Sequence, residues 1–148
     1  MLGILPATAS AQPYILSADG SEATDQGTGL IWRRCPEGMN WDGLTCAGEA
    51  VTFTYEAALR QAAVQAGSTG IAWRLPDINE LSSIIDRNRI NSAIDPKTFP
   101  STPAGWFWSA SPYSGSSGLA WYVNFINGAV NFYFRPHSIH VRLVRAKQ

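Results

Sequence analysis

The sequence predicts an α+β fold: two helices followed by an antiparallel run of short strands. Three observations predict it. Two segments rich in helix formers each begin on a capping residue, the second half alternates apolar and polar residues, and no repeat or linker divides the 148 residues. That length suits one domain able to bury roughly two-thirds of its unfolded surface. No run approaches the roughly 18 apolar residues a membrane span needs.

The segment MLGILPATASA, residues 1–11, reads as a truncated secretory signal, with Ala9-Ser10-Ala11 fitting the small-residue cleavage rule; the competing reading is a disordered N-terminus. A single domain then spans 12–148. Residues 12–24 are polar and read as extended or loose. Thr28 to Trp32 follows a Gly-rich turn and reads as a buried strand. Thr54 is a helix N-cap, since its hydroxyl can accept from an orphan backbone N–H. Tyr55 to Ala66 continues with Ala, Leu, Gln and Arg; Leu59, Ala62, Ala63 and Ala66 make one face, and Gly67 is the expected stop. Trp73 to Asp77 leads into a second helix. Asp77 with Glu80 has capping-box spacing, Leu81, Ile84 and Ile85 supply the apolar stripe, and the helix is expected to end near Arg87-Asn88. Pro96, Pro100 and Pro103 make 88–105 irregular. Strands follow at Trp106 to Ser109, in a hairpin from Trp121 to Phe134, and at Ile139 to Val144.

The hairpin carries the functional expectation. Asn127-Gly128 marks its tip, and a two-residue turn there pairs Phe125 with Val130, Val123 with Phe132 and Trp121 with Phe134. That face is apolar and is expected to look inward. The opposite face holds Tyr122, Asn124, Ile126, Ala129, Asn131 and Tyr133. Tyr and Asn on a rigid sheet suit a recognition surface, because they combine amphipathic area with hydrogen bonding at low entropic cost. The competing reading is an ordinary solvent-facing strand. Arg135 adds a charge-assisted donor and His137 and His140 complete the candidate ligand surface. Trp106 and Trp108 are expected in the core.

Charge is unevenly distributed. Residues 1–95 hold all eleven carboxylates against six Arg, a net of −5, while residues 96–148 hold five cations and no carboxylate. Either the C-terminal third faces an anionic partner, or its cations pair with carboxylates of the first part. Cys35 and Cys46 bracket a loop rich in turn formers, where a disulfide fits an exported protein; the competing reading is two free thiols in a cytosolic one. Two sulfurs with no nearby His make a poor zinc site, and a calcium site needs carboxylates that the C-terminal part lacks. Phosphate-binding Gly loops, nucleophile elbows and metal spacings are absent, so no cofactor, metal or nucleic acid is expected. Asp77 and Glu80 could be an acid/base pair, but capping accounts for them better.

The ordered segments T-G-L-I-W (28–32), R-C-P-E-G-M-N-W-D-G-L-T-C (34–46), T-Y-E-A-A-L (54–59) and W-R-L-P-D-I-N-E-L (73–81) are joined by A-I-D-P-K-T-F-P (93–100), F-W-S-A-S-P-Y (107–113), A-W-Y-V-N-F-I-N-G-A-V (120–130) and V-R-L-V-R (141–145). Together, over about residues 24–146, they resemble the Lcl C-terminal domain family, a bacterial domain of unknown function. The resemblance implies a C-type-lectin-like fold, with two helices flanking a small twisted antiparallel sheet. Leu30 to Trp32 and Val141 to Val144 would be its paired N- and C-terminal strands. It also implies export, to the periplasm, cell surface or medium of a bacterium, and a non-catalytic, adhesin-like role toward a sulfated glycan or a protein. Many relatives carry a further cysteine where this chain has Arg89-Ile90-Asn91. Proteins of this fold are also frequent targets of diversity-generating retroelements, and positions 122, 126, 129, 131–134 and 136–140 hold residues reachable that way. R-L-P before an acidic helix start is similar to formylglycine-generating enzymes as well. Those use paired reactive cysteines, whereas both cysteines here sit in the early turn-rich loop, so the match implies shared architecture. A structural envelope or virion component is the remaining alternative.

Overall fold

The computed structural model describes residues 13–147, and the signal-like segment 1–11 lies outside them. The chain forms β1 (Tyr14–Leu16), β2 (Glu22–Asp25), β3 (Ile31–Arg33), β4 (Asn40–Trp41), β5 (Cys46–Ala47), α1 (Tyr55–Thr69), α2 (Ile78–Ser83), β6 (Trp106–Pro112), β7 (Leu119–Asn124), β8 (Ala129–Phe134) and β9 (Val144–Arg145). These make an antiparallel sheet β1-β2-β3-β9, a small pair β4-β5 and a second antiparallel sheet β6-β7-β8. The α+β reading holds.

The expected pairing of early and late strands is present: Ile31 faces Arg145 and Trp32 faces Val144. The segment 12–24, expected to be extended or loose, is extended over its described residues and forms the β1–β2 hairpin. Its turn is organised by Asp19, whose carboxylate accepts from the Ser17 and Ser21 hydroxyls and the Ser21 amide. Those donors hold the Asp19 carboxyl below its ordinary range. Short polar residues read as loose because their hydrogen bonding goes to the turn itself.

Helix α1 starts as expected, with Thr54 accepting from the Ala57 amide. It passes through Gly67 and stops at Gly70, in the left-handed conformation at φ 71°, where the Gly70 amide bonds Ala66 O. Its buried residues are Tyr55, Ala58 and Ala62, so of the expected face Ala62 is buried, Ala66 is half-buried, and Leu59 and Ala63 are exposed. Tyr55 decides this: its ring sits edge-on to Trp108 and its hydroxyl donates to Ala110 O. Helix α2 has the full capping box, Asp77 with Glu80, but ends at Ser83 rather than near Arg87. Arg74 bonds both Glu80 carboxylate oxygens and so braces that box from outside.

Two apolar clusters fill the molecule. One joins α1 to Trp73, Leu75, Trp108, Ala120, Tyr122 and Val141; the other joins α2 to Trp32, Phe99, Phe107, Val123 and Phe125. Arg142, fully buried, stitches the second cluster to β3. Its Nη1 donates to Arg33 O and Arg34 O, and its Nη2 to Thr102 Oγ1 at 2.7 Å. Burial pulls its pKa down to about 9. Arg145 pairs with Glu22 at 2.8 Å and Arg135 lies 3.7 Å from Glu56. Part of the C-terminal positive charge is thus matched by the N-terminal part. Cys35 and Cys46 form a disulfide.

Candidate functional site: the β7–β8 hairpin

Asn127-Gly128 does not form a two-residue turn. Asn124 faces Ala129, so residues 125–128 make a four-residue loop and the register moves by two: Trp121 faces Phe132, Tyr122 faces Asn131 and Val123 faces Val130. Because the shift is even, the two sets of side chains stay on their predicted faces. The loop widens because Phe125 is drawn inward. Its ring is fully buried edge-on to Phe107, its amide bonds Gly105 O and its carbonyl accepts from the Ala93 amide. Asn124 and Asn127 then satisfy the loop amides of Ile126 and Ala129. Gly128 sits against Ile85, where a Cβ would lie 2.8 Å from its Cγ2.

Burial of the two faces departs from expectation. On the Tyr/Asn face, Tyr122 is core: it stacks on Trp106 with centroids 4.5 Å apart, and burial raises its phenol pKa. Helix α1 closes over that part of the sheet, where Trp108 of β6 pairs with Tyr122. Tyr133 is half-buried beside Trp106 and His137, while Asn131 and His137 are exposed. Asn131 accepts from the Phe132 amide. Ile126 is exposed at the loop. Arg135 is engaged: its Nε donates to Leu119 O and its guanidinium lies 4.7 Å from the Tyr55 ring centroid. His140 is half-buried against Phe107, with Nδ1 unpartnered, and burial lowers its pKa. The structure therefore groups Tyr133, Asn131 and His137, holds Tyr122 in the core and places His140 apart, in contact with Phe107.

The face expected to be buried is buried at one end only. Helix α2 packs against β6 and β7 and covers Val123 and Phe125. At six residues, α2 is too short to reach further. Beyond it Val130, Phe132 and Phe134 are 38%, 37% and 60% exposed. Phe132 stacks on Tyr113 at 4.0 Å and meets Trp121 edge-on at 5.6 Å. Gly115 lies under the Tyr113 ring, where a Cβ would collide. Strand β8 is also the free edge of its sheet. Residues 98–134 carry no charge, so β8 itself places no charged side chain along that edge. Tyr113, Trp121, Phe132 and Phe134 were missed as candidates because alternation marks a common face without saying what covers it. The signal available was the shortage of any further amphipathic helix to lie over it.

An α+β fold closed by its early and late strands, with an aromatic hairpin at one sheet edge, defines the class. Residues 21–145 match the model of the Lcl C-terminal domain, and the chain belongs to that family. No curated protein matches the chain.

Proposed function

We propose that the protein is an exported, non-catalytic binding module whose ligand seats on the β7–β8 hairpin. The observation that carries this reading is the outer face of β8. A contiguous set of aromatic and apolar side chains stays in water although the fold has two filled cores elsewhere. The tyrosine, phenylalanine and tryptophan rings offer rigid area for a protein loop or the apolar face of a sugar. Asn131, Tyr133 and His137 on the other side of the strand supply hydrogen bonds. Arg135 is committed to Leu119 and Tyr55, so the aromatic face contributes more than an anion contact would. The Cys35–Cys46 bond favours an oxidising compartment. It also ties up both cysteines, which a thiol-based oxidase of formylglycine-generating type would need free.

Retroelement diversification would act unevenly on this surface. Asn131, Phe132, Phe134, Pro136, His137 and Ser138 are exposed, but Tyr122 and Ile139 are core and would tolerate little change.

The test is binding of the exported domain to arrays of sulfated and neutral glycans and of surface proteins. Phe134→Ala and Tyr133→Ala are each expected to weaken a captured ligand by about tenfold or more, equivalent to about 1.4 kcal/mol. Arg135→Ala is expected to do less. Equal binding by all three variants, or no ligand across the arrays, would remove the hairpin from consideration.

A further inference from the structure

A second feature lies on the irregular stretch after α2, away from the aromatic edge. A cavity of about 270 Å³ opens between residues 89–96 and 99–102. Its lining includes no carboxylate and one guanidinium, that of Arg89. Asp86 takes only the Arg89 Nε, at 3.2 Å, and the two Nη groups have no partner among the described residues. Ser92 also lines the cavity, and its hydroxyl is buried with no hydrogen-bond partner among the described residues. Buried hydroxyls are ordinarily satisfied, so an orphan beside an open cavity points to an absent acceptor or donor.

Two independent observations add to this. The described residues include two non-glycine residues at positive φ, Asn91 at 56° and Ser101 at 61°, and both line the cavity. Left-handed backbone at such residues costs of order 1 kcal/mol and gathers where a ligand is gripped. The larger anomaly lies directly behind the wall. Arg142 is fully buried, yet it forms no ion pair with any carboxylate among the described residues. Its Nη2 donates to Thr102 and its guanidinium lies 4.8 Å from the Phe99 ring centroid. Thr102 and Phe99 are themselves cavity wall. A positive charge with no direct carboxylate partner among the described residues therefore sits one side chain beneath the cavity surface.

The apolar floor, Ile94, Pro96 and Phe99, narrows the ligand further. The Nη1–Nη2 edge of Arg89, left open by its Nε pairing with Asp86, matches one planar carboxylate bidentately, whereas a polyanion would call for a cluster of cations. We propose that this cavity binds a monocarboxylate carrying a small apolar group, the chemistry shared by a short branched organic acid and the free C-terminus of a peptide. Arg89 would fork onto the carboxylate, Ser92 would donate to it, and the apolar group would lie on Phe99 and Ile94. The site is separate from the hairpin proposed above and does not depend on it.

The experiment is an amide NMR titration of the whole domain with isovalerate, with a dipeptide ending in a free valine carboxylate, with its C-terminal amide, and with inorganic sulfate. Saturable shifts at Asn91, Ser92 and Ser101 are expected for the two carboxylates, with Kd on the order of 1 mM or tighter. The amide and sulfate should give none at equal concentration. Tighter binding of the dipeptide acid than of isovalerate assigns the ligand to a peptide terminus; the reverse assigns it to a free acid. Arg89→Gln, a change at an exposed side chain, should weaken carboxylate binding about tenfold, and Phe134→Ala should leave it unchanged. No saturable shift with either acid, equal binding of the amide or of sulfate, or undiminished binding in Arg89→Gln would overturn the proposal.

Discussion

His140 sits with its ring against Phe107 and with Gly105 so close that a Cβ there would lie 3.0 Å from the imidazole Cδ2. The charged imidazolium is poorly solvated in that setting, and burial lowers its pKa from 6.5. The unfolded chain therefore takes up a proton before the native one does. His140 contributes stability that is fully present above pH about 6.5 and is lost as pH falls through the lowered native value. The His140 Cε1–H resonance is expected to titrate below 6.5. Urea midpoints should fall between pH 7.5 and 5, and His140→Gln should flatten that fall. An ordinary imidazole titration at His140 would contradict the burial argument. Little of this could be read from the sequence. His137 and His140 share a turn-rich segment, and the segment puts one ring in water and the other against the core.

At the scale of elements, capping and cross-linking were legible because their chemistry is local. Thr54 and the Asp77–Glu80 pair each act within three residues, so the sequence alone places both helix starts. Ends were less legible: Gly67 and Gly70 are equally permissive, and the tertiary docking of Tyr55 and Ala62 carries α1 through the first. The hairpin register failed for a similar reason. Asn-Gly specifies a tight turn in isolation, but burying Phe125 against Phe107 outweighs the gain of a two-residue loop. The Cys35–Cys46 bridge closes a loop whose own structure is the two-residue pair β4–β5. Cys35→Ala with Cys46→Ala is expected to cost about 2–3 kcal/mol in chemical denaturation. A loss below about 0.5 kcal/mol would mean that Trp41, pinned between Arg34 and the Asp19 carbonyl, already holds the loop without it.

At the scale of the whole molecule, the division of charge along the sequence foretold closure of the fold only in part. Glu22 meets Arg145 across the β2–β3–β9 sheet, as opposite charges at the two ends should. Arg142 meets carbonyls and a hydroxyl instead, which no count of charges could reveal. The same limit applies to the aromatic residues. Six Trp, six Phe and five Tyr suggest one large core, yet the cores close without Phe132 and Phe134. If those rings serve recognition and not packing, their removal should leave stability almost untouched. Phe132→Ser with Phe134→Ser is expected to change the unfolding free energy by less than about 1 kcal/mol and to reduce binding of a hydrophobic dye. Trp108→Ala, which empties a fully buried site and removes the indole hydrogen bond to Phe53 O, should cost about 3–5 kcal/mol in the same assay. A loss above about 2 kcal/mol for the double serine variant would make the outer face of β8 part of the core. The aromatic edge would then hold the hairpin in place, and a ligand would have to be sought elsewhere on the molecule.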